Sequence, residues 1–145
     1  MITDDRLVEL KGIFVKHGVV LAYLFGSQAE GTARPSSDVD IAVLLPDGTP
    51  RSKYFDTRLD LINDLADVFG RDDVDVVVLN EVPALLAREA VRAGKILYED
   101  EVTRPAVEFV VRTMSYYADT EHFRKLAQTY LLDRIDQRRA APAAR

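Results

Sequence analysis

The stretch "LFGSQAEGTARPSSDVDIAVLL", Leu24 to Leu45, decides the fold. Its two ends are apolar runs of strand length, and between them Gly26-Ser27 opens a segment of loop-like composition. The second run carries two carboxylates, Asp38 and Asp40, one residue apart. On a strand such residues share a face, with Cα atoms roughly 6.5–7 Å apart. Val39, Ile41, Val43 and Leu45 make one apolar face, while Asp40 shares the other with Ala42 and Leu44. A charge on that second face is costly unless it is paired or metal-bound. The bland reading, in which Asp38 begins the strand and Asp40 is merely solvated, has to be weighed against support from the rest of the chain.

Working outward, Leu7, Leu10, Ile13 and Phe14 recur at helical spacing over residues 4–16, with Thr3 or Asp4 as cap and Gly18 after the end. "VVLAYLF" (Val19 to Phe25) reads as a buried strand, Ser27 as the start of a short helical turn, and Asp38 to Leu45 as a second strand closed by "PDGTP". Phe55, Leu59, Ile62, Ala66 and Phe69 mark one stripe of a helix over 51–69, with its acids on a solvated face. "VDVVVLN" (Val74 to Asn80) is a third strand, Pro83 opens a helix to about Arg92, and "KILYE" is a short fourth strand. Residues 103–135 are helical, bent near "YADTEH", where Asp119 or Thr120 caps a second segment. Val107, Val110, Met114, Tyr117, Phe123, Leu126 and Tyr130 lie at helical spacings there, and Tyr116 and Tyr117 read as packing residues. The order predicts a single α/β domain with a small mixed sheet flanked by helices: a core over 1–100, a C-terminal helical segment over 101–135, and a frayed or disordered tail over 136–145.

Asp75 repeats the oddity of Asp40. It stands among Val74, Val76, Val77, Val78 and Leu79, the pattern of a strand buried on both faces. Asp38, Asp40 and Asp75, with few basic residues nearby in sequence, suit a hard divalent cation held by oxygen ligands, and Mg²⁺ fits best. Gly26-Ser27 offers backbone N–H groups, a hydroxyl and no Cβ obstruction, which suits a phosphate, although Ser27 as an ordinary N-cap fits equally. Arg34, in the loop before Asp38, is within reach of a triphosphate or is simply solvated. A P-loop fails because Thr32 follows Gly31 where lysine is required, and an EF-hand fails at Val43 and Thr49. His17 reads as a helix-end residue and His122 as a surface one.

Composition narrows the function classes. The 145 residues are 48% hydrophobic and 30% charged, which gives one globular core, and the apolar runs fall short of the ~20 residues of a membrane span. No cysteine is present, so thiolate catalysis and Cys-based zinc sites are excluded. The acidic "MITDDRLVEL" does not read as a secretion signal, so the expected location is cytoplasmic. A formal net charge of −5 disfavours long nucleic acid as a partner, but a bound metal can invert the local sign and admit a nucleotide.

Gly26-Ser27, ten intervening residues, Asp38-Val39-Asp40 and a later strand with Asp75 resemble the G-S-x10-D-x-D signature of the DNA polymerase β-like nucleotidyltransferase superfamily. The short chain is similar to its minimal nucleotidyltransferase branch, and within that to MntA-type antitoxins encoded beside HEPN-domain toxins. The resemblance implies a nucleotidyltransferase fold and transfer of a nucleoside monophosphate with release of pyrophosphate. It implies that Gly26 and Ser27 hold the triphosphate, that Asp38 and Asp40 bind Mg²⁺, and that Asp75 completes the metal site and assists deprotonation of the acceptor. For the antitoxin branch it further implies ATP as donor and a tyrosine of a HEPN ribonuclease as acceptor. One departure stands in "GSQAEG": Glu30 replaces the arginine of many minimal members, which either weakens phosphate neutralisation or passes it to Arg34. Two other readings compete with this one. A small-molecule nucleotidyltransferase would need a substrate domain for which only about 40 residues remain after the fourth strand. A non-catalytic antitoxin would block its partner by contact, using the acidic surface.

Overall fold

The structure, a computed structural model, describes residues 2–32, 34 and 36–141. Helix α1 (Asp4–Lys16) starts where the Thr3 hydroxyl accepts from the Arg6 amide at 3.4 Å, and carries Asp4 and Asp5 at its positive end. Its Leu10 and Phe14, four apart and so on one face, are fully buried. Strand β1 (Leu21–Phe25) runs into a one-turn helix, α2 (Ser27–Glu30), and strand β2 (Val39–Leu44) returns beside it. After a short 3₁₀ turn (Arg51–Lys53), helix α3 (Tyr54–Phe69) crosses to strand β3 (Val74–Val78). Helix α4 (Ala84–Ala93), strand β4 (Lys95–Glu99), helix α5 (Ala106–Asp119) and helix α6 (Glu121–Ala140) complete the chain.

The four strands are ordered β3-β2-β1-β4, with β1 antiparallel to both neighbours and β2 parallel to β3. A hairpin-like return joins β1 to β2, whereas the parallel β2–β3 pair needs a crossover, and α3 supplies it. Alternation sorts the side chains onto two faces. Leu24, Val39, Ile41, Val43, Val74 and Val76 pack against Leu10, Phe14, Leu61 and Leu65 of α1 and α3. Tyr23, Ala42 and Leu44 face Ala87, Ala90 and Phe109 of α4 and α5. Asp40 belongs to this second face, as the pattern of the strand required.

Several expectations change. Strand β1 begins at Leu21, although Val20 still donates to the Leu44 carbonyl at 2.9 Å. The buried stripe of α3 is centred on Leu61 and Leu65, and Phe55 and Leu59 are exposed. The helical segment does break at Thr120, but the Thr120 hydroxyl donates backward to the Tyr116 carbonyl at 2.8 Å and so closes α5 rather than capping α6. Helix α6 buries none of its residues, leaving Phe123, Leu126 and Tyr130 exposed, and Tyr116 and Met114 of α5 are exposed as well. The expected tail over 136–140 is helical through Ala140, where Gln137, Arg138, Arg139 and Ala140 are all good helix formers; residues 142–145 lie outside the described ones. No described helix is long and apolar enough to cross a membrane.

Candidate active site

The end of β1 and the starts of β2 and β3 meet at one corner of the sheet. Phe25 pairs with Asp40 across the antiparallel ladder, so the next residue, Gly26, begins its turn against the Asp40 side chain. Gly26 has φ +70° and ψ −156°, a region reserved for glycine, and a Cβ built there would lie 2.6 Å from Asp40 Oδ2. The glycine is thus required twice, by its backbone and by the close approach of the carboxylate. Gly26, which has no side chain to cap with, is the N-cap of α2, so Ser27 is the first helical residue and not the N-cap. The Ala29 and Glu30 amides donate to the Gly26 carbonyl at 3.1 and 3.2 Å, so the amides of this turn left without an intrahelical acceptor are those of Ser27 and Gln28, directly after Gly26.

On the other side, the parallel register sets Asp40 directly beside Asp75. Asp40 is half-buried while Asp38, just ahead of β2, and Asp75 are exposed. Burial raises the Asp40 carboxyl above its ordinary pKa, and the charges of Asp38 and Asp75 raise it further. Asp38, Asp40 and Asp75 are therefore electrostatically one cluster. The expectation that Asp75 sits in a strand covered on both faces is corrected: β3 is an edge strand and Asp75 is open to solvent. Among the described residues no three carboxylate or imidazole groups already close into a metal cage.

The structure adds a residue that sequence reasoning missed. Arg58 of α3 donates from Nη2 to Asp75 Oδ1 at 2.8 Å and from Nε to the Val76 carbonyl at 2.6 Å. No local signal marks it, since 17 residues separate it from Asp75. Arg71 is likewise brought to this end, donating to the Ser37 carbonyl at 2.6 Å and pairing with Asp73. The Arg34 amide donates to Ser37 Oγ at 2.8 Å, which ties that loop to the residue before Asp38, while the Arg34 side chain is exposed. Ala33 and Pro35 lie outside the described residues. Glu30 ends α2, exposed, with its charge felt by Arg92 of α4. His17 is more than a helix end: its Nε2 is 2.7 Å from Asp64 of α3.

A concavity of about 430 Å³ lined by Leu44, Asn80, Phe109 and Arg112 lies at the far end of β2, away from the acids. The carboxylate corner is instead an open surface: anionic, glycine-floored and walled by α2. Such a surface suits an extended polyanion accompanied by cations better than an enclosed apolar ligand.

Comparison with known proteins agrees with this geometry. The model of the family described as polymerase beta, nucleotidyltransferase matches residues 9–102. The protein adenylyltransferase MntA of Shewanella oneidensis is 34% identical over 129 residues, covering 86% of this chain and 82% of that one. A crystal structure of a toxin–antitoxin with AMP-PNP superposes with a TM-score of 0.72 at 28% identity, over 87% of this chain and 98% of that one. A complex of tri-AMPylated Shewanella oneidensis HEPN toxin with MNT antitoxin gives 0.66 at 26% identity, over 88% and 96%. With the motif at the corner of the sheet, the fold around it and the family match over most of its length, this chain belongs to the polymerase β nucleotidyltransferase family.

Proposed function

We propose that the chain is a Mg²⁺-dependent protein adenylyltransferase that moves AMP from ATP onto a tyrosine of a HEPN-domain ribonuclease toxin, and so acts as its antitoxin. The observation that carries the reading is the register placing Asp40 beside Asp75, with Gly26 pressed onto the Asp40 carboxylate. The protein adenylyltransferase at 34% identity and the HEPN toxin complexes among similar structures support the choice of donor and partner. Cytoplasmic residence, where ATP is abundant, is part of the same reading.

The donor set fits Mg²⁺. It is all carboxylate oxygen, and burial together with two like charges disfavours the ionised form of Asp40, a cost that a bound cation removes. Asp38 and Asp40 would hold the ion, and Asp75 would complete its site. When bound, Mg²⁺ neutralises the negative charge that builds on the phosphoryl oxygens.

The remaining work falls to the chain itself. Gly26 and Ser27 seat the triphosphate: the missing Cβ lets the turn lie against Asp40, and the Ser27 hydroxyl with the Ser27 and Gln28 amides donates to the phosphate oxygens. Arg34 supplies the cation that Glu30 does not. The tyrosine oxygen of the partner attacks the α-phosphorus of ATP in line, the bond from that phosphorus to the β-phosphate bridging oxygen breaks, and pyrophosphate leaves with the electron pair. The phenolic proton passes to Asp75. Holding nucleophile and phosphorus in this geometry is the main source of rate.

Incubation of the chain with labelled ATP, Mg²⁺ and the neighbouring gene's HEPN product tests the reading. Label is expected on a tyrosine of that partner, and intact nucleotide binding without any transfer would rule the assignment out.

A further inference from the structure

Arg58 has no place in the motif, yet it is bound to the site at two points. The geometry points to it as the positioning residue that aims Asp75 at the acceptor; this rests on the role given to Asp75 above.

Arg58 acts at the open edge of the sheet, on β3. In a parallel ladder alternate residues bond to the neighbouring strand, and the bonds from the Val39 amide to the Asp73 carbonyl and from the Leu79 amide to the Val43 carbonyl fix which ones. By that alternation Asp75 and Val77 turn their backbone groups toward β2, and Val76 turns its N–H and C=O outward. Both outward groups are used. The Val76 amide donates to Asp75 Oδ1 at 2.8 Å, and the Val76 carbonyl accepts from Arg58 Nε at 2.6 Å. Arg58 Nη2 then closes the ring on the same Asp75 Oδ1 at 2.8 Å. One carboxylate oxygen is thereby committed to two donors, and among the described residues Oδ2 accepts no hydrogen bond. Oδ2 is the oxygen left for both roles given to Asp75 above, completing the cation site and receiving the acceptor proton.

An ion pair alone would not do this. The two partners are 39% and 54% exposed in their side chains, and pairs so solvated add little stability. What distinguishes Arg58 is the planar fork: with Nε held by a backbone carbonyl, Nη2 meets the carboxylate from one direction only. Because α3 is anchored in the core through Leu61 and Leu65, that direction is fixed relative to the sheet. A carboxylate free to rotate would keep its charge and lose its aim, and a misplacement of about 1 Å at a reacting group costs on the order of 100-fold in rate.

The test compares Arg58→Met, Arg58→Lys, Asp75→Asn and the Arg58→Met/Asp75→Asn double change in the full chain with its HEPN partner. Four quantities are read: the transfer rate constant, KM for ATP, affinity for AMP-PNP with Mg²⁺ by calorimetry, and the melting temperature. Arg58→Met is expected to lower the rate constant about 10- to 100-fold, with KM and AMP-PNP affinity within about threefold. Arg58→Lys should fail to rescue, because an ammonium cannot bridge both acceptors in one plane. In the Asp75→Asn background, removing Arg58 should cost nothing further. A fully active Arg58→Met, full rescue by lysine, or an equal loss in the Asp75→Asn background overturns the proposal. Fully active Asp75→Asn overturns both the proposal and the role of Asp75, whereas inactive Asp75→Asn beside fully active Arg58→Met overturns the proposal alone. Should Arg58→Met melt below the assay temperature, Arg58→Gln, which keeps a donor for Val76, replaces it in the same comparison.

Discussion

Replacing Gly26 by alanine probes the close packing of the phosphate turn on the carboxylate. The added Cβ meets Asp40 Oδ2 at 2.6 Å, and contacts of that kind are relieved only beyond 3.0–3.4 Å. The carboxylate must therefore retreat by roughly 0.4–0.8 Å, a shift that at a reacting site corresponds to a loss approaching 100-fold. The backbone also resists: φ +70° with ψ −156° costs a non-glycine residue about 1–3 kcal/mol. At roughly 2–4 °C per kcal/mol for a chain of this size, the melting temperature should fall by about 2–12 °C. Gly31→Ala separates the two effects, since Gly31 has φ +73° but open space around its Cβ position. Thermal melts and transfer of labelled AMP, measured on both variants, should show two destabilised proteins of which only Gly26→Ala has lost activity. A Gly26→Ala protein as active as the parent, or a Gly31→Ala protein equally impaired, would refute the reasoning.

Two further outcomes follow from the charges. Asp40 is held above its ordinary pKa, so the folded state binds its proton more tightly than the unfolded state and stability falls as pH rises from the ordinary carboxylate value through the raised one. Asp40→Asn should then raise the metal-free melting temperature at neutral pH while abolishing transfer, and the gain should vanish below the ordinary carboxylate pKa; a less stable variant at neutral pH would contradict this. Asp64 behaves oppositely, because hydrogen bonds from His17 and Lys16 lower its pKa. Its contribution, of order 1 kcal/mol or less for a carboxylate still in part open to solvent, is present above the ordinary carboxylate value and lost as pH falls through the lowered one. Chemical denaturation of Asp64→Asn should show a deficit at pH 7 that shrinks toward pH 3, and a deficit independent of pH would exclude the explanation.

Strand alternation made the two faces of β2 legible in advance, because the period of two in Val39, Ile41 and Val43 against Asp40, Ala42 and Leu44 admits one arrangement. Gly26-Ser27 and Asp38-Val39-Asp40 could be picked out for the same reason: each is a local conflict with its surroundings. What joins segments was not legible. Nothing in "VDVVVLN" distinguishes an edge strand from a central one, so Asp75 read as buried when it is open to solvent. Asp64 looked like part of a wet helical face and Arg58 carried no mark at all, because their partners, His17 and Asp75, lie 47 and 17 residues away. The apolar spacing of Phe123, Leu126 and Tyr130 predicts a helix correctly, yet periodicity does not say what covers it, and among the described residues nothing buries them.

The central claim is that Asp38, Asp40 and Asp75 act together in moving AMP from ATP onto a partner tyrosine. The most direct measurement follows label from ATP carrying a radioactive α-phosphate into the HEPN-domain protein proposed as its partner, with mass spectrometry to locate it, for the parent chain and for Asp38→Asn/Asp40→Asn. The account predicts Mg²⁺-dependent AMP on a tyrosine with the parent, and none with the double variant, which should also fail to protect cells from the toxin. Protection by the double variant at the parental level, with no label on the partner in either case, would contradict it and leave blocking by contact as the mechanism.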